Sequence, residues 1–124
     1  MAPRILVVDD ELQILILFGR MLEGSGYSTR LLSSGEEVVP ILREEKFELL
    51  AMDLGMPKPD GFELLKRLRA EMPRQRILVV SGVMTGALLK AAELLGATAT
   101  LAKTDVHKLL LQTVGENLGK NSRR

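Results

Sequence analysis

Residues Arg4–Asp10 read Arg-Ile-Leu-Val-Val-Asp-Asp, four consecutive apolar residues leading straight into a pair of acids. The same five letters, RILVV, recur at Arg76–Val80 and again lead into a polar residue, Ser81. A strand with one face in water alternates apolar and polar residues. An unbroken apolar run of this length belongs to a strand covered on both faces, as in a parallel sheet. Glu48–Met52 (ELLAM) is a third such run. Ser28–Leu32 (STRLL) and Thr98–Ala102 (TATLA) are more polar, which places them at or near the edges of the sheet.

Between these runs lie segments with helical spacing. Glu11–Glu23 stops at Gly24-Ser25-Gly26, a C-terminal stop signal. Ser33 or Ser34 is placed to cap a segment reaching about Lys46, in which Pro40 is awkward because it would kink or shorten the helix. Asp60 precedes Gly61–Glu71, where Phe62, Leu65 and Leu68, with Leu64, form an apolar stripe. Thr85–Leu95 ends at Gly96, and Asp105 stands before Val106–Leu118 as its cap. Strands alternating with helices imply repeated βαβ units. The expected fold is α/β, a (βα)5 five-stranded parallel sheet with helices on both faces. It forms one domain over residues 1–118, with a polar, frayed tail at 119–124 (GKNSRR).

Composition agrees and narrows the function. A chain of 124 residues suits one compact domain, and it carries 46% hydrophobic and 27% charged residues. Such a chain buries roughly two thirds of its unfolded surface and needs no staples. With three Phe, one Tyr and no Trp, the core must be aliphatic. The absence of cysteine excludes disulfides, thiolate metal sites and Cys nucleophiles, and fits a reducing compartment. Seventeen Lys and Arg against sixteen Asp and Glu leave a formal charge of +1, which creates no broad field for nucleic acid or an anionic membrane. No apolar run approaches the roughly 20 residues that span a bilayer. MAPRILVVDD turns acidic too soon for a secretory leader. A cytoplasmic domain without nucleic-acid or membrane partners is expected.

Open parallel sheets bind ligands outside the carboxyl ends of their strands. At those ends stand Asp9 and Asp10, then Glu11, after the first run; Asp53 after the third; Ser81 after the fourth; and Lys103 after the fifth. Each has a plain reading by itself: Asp10 as a helix cap, Ser81-Gly82 as a turn, Lys103 as a solvated surface residue. Together they converge on one rim from different connections. Asp53 also opens the segment Leu54-Gly55-Met56-Pro57-Lys58-Pro59-Asp60-Gly61, a loop holding two prolines.

On these residues the chain resembles the receiver domains of bacterial two-component response regulators, typified by the chemotaxis response regulator. The resemblance runs from Ile5 to about Leu118. Its most specific part is Asp53-Leu-Gly-Met-Pro-Lys-Pro-Asp-Gly61, similar to the family's D-x-x-M-P-x-x-D-G segment, and Asp9-Asp10, Ser81 and Lys103 match in kind and order. It implies a doubly wound, flavodoxin-like sheet and a regulatory phosphoacceptor, not an enzyme. Asp53 would accept a phosphoryl group from a sensor histidine kinase or histidine phosphotransfer protein. Asp10, Asp53 and the Gly55 backbone carbonyl would hold Mg²⁺ or Mn²⁺, with Asp9 acting through water. Lys103 would offset charge on the phosphoryl oxygens, and Ser81 would donate a hydrogen bond to them. Since 124 residues are consumed by a receiver, the signal is expected to leave through a downstream protein target or an output domain outside this chain. Two other classes remain: a degenerate receiver serving as an interaction scaffold, and a Mg²⁺-dependent phosphohydrolase with Asp53 as nucleophile. That last class usually carries a second acid where Gly55 stands.

Three positions depart from the family pattern. Thr104 replaces the proline that usually follows the lysine, so a cis bond there is disfavoured. Thr100 replaces an aromatic residue that couples to the switch. Gly55 and Val83 supply neither acid nor carboxamide to orient water, so slow autodephosphorylation is expected. On the first helix, Ile14, Leu17, Phe18 and Met21 form the expected core stripe. Leu12, Leu15 and Ile16, flattened by Gly19, form a second apolar patch that is either buried or scattered at the surface, or else, as the resemblance implies, a docking face for a histidine-bearing partner. His107, the only histidine, is expected to be solvated.

Overall fold

The computed structural model describes residues 2–57, 60–82 and 86–122. Lys58, Pro59, Val83 and the Arg123-Arg124 end lie outside them. Five strands, β1 (Arg4–Val8), β2 (Ser28–Leu32), β3 (Leu49–Asp53), β4 (Ile77–Ser81) and β5 (Ala99–Ala102), form one sheet in the order β2-β1-β3-β4-β5. Every pairing is parallel. The two polar strands do occupy the edges. Between and after the strands run α1 (Leu12–Gly24), α2 (Val38–Glu44), α3 (Gly61–Glu71), α4 (Gly86–Leu94) and α5 (Val106–Ser122).

The period of two along a strand divides each apolar run between two cores. Ile5, Val7, Leu49, Ala51, Leu78 and Val80 meet Leu15, Phe18 and Leu22 of α1 and Val106, Leu110 and Val114 of α5. Leu6, Val8, Leu50, Met52, Ile77 and Val79 meet α2, α3 and α4 through Val38, Val39, Leu64, Leu65, Leu68 and Ala92. This two-sided burial is why the runs carry no polar alternation.

Several boundaries differ from the sequence expectation. The ladder carries one residue further than the apolar runs of β3 and β4, since Asp53 pairs with Val80 and Ser81 with Ala102. Asp53 and Ser81 are therefore strand residues, fixed by main-chain bonds. A 3₁₀ turn, Gly35–Glu37, precedes α2, and the Ser34 hydroxyl accepts from the Glu36 N–H at 3.2 Å. Pro40 falls in the first turn of α2, where its missing N–H costs nothing. The helix ends at Glu44, not near Lys46, because Glu45 is extended and its carboxylate pairs with Arg4 and Arg30. Asp105 ends a 3₁₀ turn, Lys103–Asp105, that leads into α5. That helix continues through Ser122 into the segment expected to be a frayed tail.

The second apolar patch of α1 is corrected. Leu15 is only 3% exposed and belongs to the core, while Leu12 and Ile16 are 67% and 44% exposed. Gly19 is buried, and a Cβ there would stand 3.3 Å from Leu31 Cδ1, so this glycine lets α1 lie close on β2. Ile14, Leu17 and Met21 are half-buried against the same core. His107 is exposed, as expected.

At the amino-terminal rim of the sheet, Arg69 near the end of α3 donates to the carbonyls of Pro73 (2.8 Å), Gln75 (3.0 Å) and Gly96. Gly96 has φ +114°, a backbone conformation that favours glycine, and a Cβ there would also press on the Arg69 side chain, 2.6 Å from Nε.

Candidate functional site

The strand order reverses at β1, with β2 to one side and β3 to the other. The carboxyl ends flanking this switch point form the natural crevice of such a sheet. Asp9 follows β1 directly; its N–H donates to the Leu32 carbonyl at 3.1 Å, and its Oδ1 accepts from the Glu11 N–H at 2.8 Å. Asp9 thus ties the entry to α1, the capping task that a bare sequence assigns to Asp10. Asp10 is left exposed, and Glu11 is the residue at the N-cap, without a side-chain cap bond.

Asp53 ends β3 at 5% exposure. Its Oδ1 accepts from the Gly55 N–H at 3.0 Å, which fixes the carboxylate plane. A Cβ on Gly55 would lie 3.5 Å from both Asp53 carboxyl oxygens, so the glycine leaves that side of the carboxylate uncovered. Ser81, also 5% exposed, ends the neighbouring strand. Lys103 follows β5 and folds its stem into the cleft, with its side chain 13% exposed. Its Nζ lies 3.0 Å from Asp9 Oδ2, 3.3 Å from Asp53 Oδ2 and 2.5 Å from Glu11 Oε1.

Four carboxylates and one ammonium therefore share the rim. Oxygens of Asp9, Asp10 and Asp53 all lie within 4.8 Å of one another. Like charges at that separation repel by about 3 kcal/mol per pair at an effective dielectric of 20. Burial pushes the Asp9 carboxyl above its ordinary value; the Glu11 N–H and Lys103 pull the other way without prevailing. Burial alone would lower the Lys103 ammonium, but the Glu11 and Asp9 hydrogen bonds and the Asp53 charge outweigh it and hold it above the lysine norm. Such a trio of hard oxygens fits a small divalent cation. The cleft has a volume of about 400 Å³. Asp10, Glu11, Asp53, Ser81 and Lys103 line it together with the apolar Leu54, Phe62 and Leu88.

All the rim residues expected from sequence converge here. The sequence reading gave no role to Glu11, and none to the apolar residues Leu54, Phe62 and Leu88. Phe62, at the amino-terminal end of the α3 stripe, lines the cleft, and only its position in the stripe could have signalled this. Thr100, where an aromatic residue was the family norm, pairs with Val79 and is half-buried.

A family model described as the response regulator receiver domain matches residues 5–114. The sensory/regulatory protein RpfC of Xanthomonas campestris pv. campestris is 32% identical over 117 residues, covering 91% of this chain but only 16% of that much longer protein. Sporulation initiation phosphotransferase F of Bacillus subtilis is 29% identical over 103 residues, 83% of each chain. Among solved structures, a CheY-like response regulator receiver domain protein from Methanospirillum hungatei JF-1 superposes with a TM-score of 0.91 at 27% identity, covering 99% of this chain and 98% of that one. Chemotaxis response regulator CheY4 of Vibrio cholerae shares the fold, with a TM-score of 0.86 at 24% identity over 94% of this chain and 99% of that one. With the family model covering the whole sheet and the acid–lysine rim in place, this chain belongs to the response regulator receiver domain family.

Proposed function

We propose that this domain is a cytoplasmic phosphoacceptor that takes a phosphoryl group from histidine onto Asp53. The observation that carries this reading is the buried Asp53 carboxylate, flanked by two further aspartates and 3.3 Å from the Lys103 ammonium. An Asp53 oxygen attacks phosphorus in line. The O–P bond forms as the P–N bond to the donor imidazole breaks, and the imidazole leaves with the electron pair and takes up a proton from solvent. Asp10 and Asp53, with the Gly55 carbonyl and Asp9 through water, would hold Mg²⁺ or Mn²⁺, whose charge offsets that of the phosphoryl oxygens. Lys103 supplies the second positive charge, at an atom already fixed in the cleft. Ser81 donates a hydrogen bond to the phosphoryl group once it is in place, coupling modification to the β4–α4 segment. The partners are a sensor histidine kinase or histidine phosphotransfer protein upstream, and a protein target or linked output domain downstream.

Incubation with Mg²⁺ and a small phosphodonor tests this by intact mass. One phosphoryl group should be added per chain. It should persist for many minutes, because Gly55 orients no water beside Asp53; a half-life of seconds in Mg²⁺ contradicts that expectation. An unmodified chain would point to an interaction scaffold, and multiple turnover of an organic phosphate to a hydrolase.

The histidine-bearing partner is expected to touch the exposed part of α1. Leu12 and Ile16 lie one turn apart on its surface. Replacing both with Ser should slow transfer from the cognate donor about tenfold and leave the melting temperature within a few degrees of wild type. Leu15→Ser, by contrast, opens the core and puts a hydroxyl into it, so it should cost about 3 kcal/mol of stability. Thermal denaturation beside a phosphotransfer assay separates the two surfaces of the helix.

A further inference from the structure

We propose that Glu11 is a positioning residue that competes with the phosphoryl group for Lys103. The inference rests on the phosphoacceptor reading above and extends it. An ammonium has three N–H donors, and three carboxylates lie around this one: Asp9, Asp53 and Glu11. A phosphoryl oxygen can therefore bind Lys103 only by displacing an acceptor already there.

The three acceptors are not equivalent. Asp9 and Asp53 are buried, and each commits its other oxygen to a backbone N–H. They also belong to the trio suited to a cation, whose charge weakens their hold on the lysine. The Glu11 side chain is 62% exposed and accepts a hydrogen bond from Lys103 Nζ. It lies outside the trio and keeps its full charge, so it becomes the main rival as the site fills.

The backbone supplies a second, independent observation. Glu11 stands at the N-cap of α1 yet makes no side-chain cap bond, although Ser, Thr, Asp or Asn there would stabilise the helix. Its main chain does the local work: its N–H donates to Asp9, and its carbonyl accepts from Ile14 and Leu15. The carboxylate is free of any duty in the turn and is spent on Lys103. Substituting the side chain therefore leaves the entry to α1 intact.

The experiment measures beryllofluoride affinity of the full chain in Mg²⁺, as a stand-in for the phosphoryl group, with Mg²⁺ affinity and thermal melting alongside. Glu11→Gln should raise beryllofluoride affinity about threefold, the scale of one partly exposed ion pair, and leave Mg²⁺ affinity unchanged. Glu11→Ser, which adds a capping hydroxyl, should give the same gain with a higher melting temperature. In a Lys103→Met background, Glu11→Gln should change nothing. An equal gain in that background means simple charge repulsion at the cleft mouth and overturns the proposal. A tenfold loss of Mg²⁺ affinity in Glu11→Gln makes Glu11 a metal ligand and also overturns it. Unchanged beryllofluoride affinity in Glu11→Gln overturns it while sparing the function of Asp53. A wild-type chain that binds no beryllofluoride fails at the earlier step, the phosphoacceptor reading itself.

Discussion

Asp53→Asn should accept no phosphoryl group: after prolonged exposure to Mg²⁺ and phosphodonor, its intact mass should stay unmodified where wild type is fully converted. The amide has no anionic oxygen, so the nucleophile is lost outright and not merely weakened. The structure also predicts that this loss is chemical, not a folding defect. The Asn Oδ1 can still accept from the Gly55 N–H, as Asp53 does at 3.0 Å. The substitution removes one of three mutually repelling carboxylates, which offsets the lost 3.3 Å pairing with Lys103. Melting temperatures of the two metal-free proteins should agree within a few degrees. Mg²⁺ should stabilise wild type far more than the variant, since a ligand stabilises the folded state in proportion to its affinity. Phosphorylation of Asp53→Asn at wild-type stoichiometry would place the nucleophile on another residue.

The second large effect is at Gly61, which opens α3 eight residues after the acceptor. A Cβ built there would stand 2.5 Å from Leu54 Cα and 2.7 Å from the Leu54 carbonyl carbon. These are backbone atoms of the segment that leaves β3, so no side-chain rotation relieves the clash. Gly61→Ala must push α3 away from Leu54 or push Leu54 away from α3. Overpacking of this kind costs about 3 kcal/mol, a large fraction of the stability of a domain this size. Leu54 directly follows Asp53, so the displacement reaches the carboxylate. Chemical denaturation should show the lost stability. Phosphorylation by a small donor should slow at temperatures where the variant remains folded. A variant with wild-type stability and rate would mean that the loop yields without cost.

The strands were legible in sequence because their unbroken apolar runs leave a single physical solution, burial on both faces. The rim followed from them, since Asp9, Asp53 and Ser81 are placed by strand ends and not by loops. What sequence could not resolve depended on distance through space. Leu15, Leu12 and Ile16 are alike in hydropathy; only the position of α1 over β2 makes the first core and leaves the other two at the surface. The ends of β3 and β4 were set one residue early because the main-chain ladder ignores side-chain polarity. Glu11 and Lys103 are separated by 92 positions, and no local pattern announces their contact. Asp9, not Asp10, ties the start of α1, a choice made by the geometry of one turn.

The Arg69 cluster has a mechanical consequence. One guanidinium fastens the end of α3, the stretch ahead of β4 and the turn before β5. These three meet at the rim opposite Asp53. Moving the approach to β5 relative to α3 or to the start of β4 would break hydrogen bonds of that one guanidinium, so the clamped rim resists rearrangement. The fold is fastened across three of its segments by one side chain at the rim farthest from the acids.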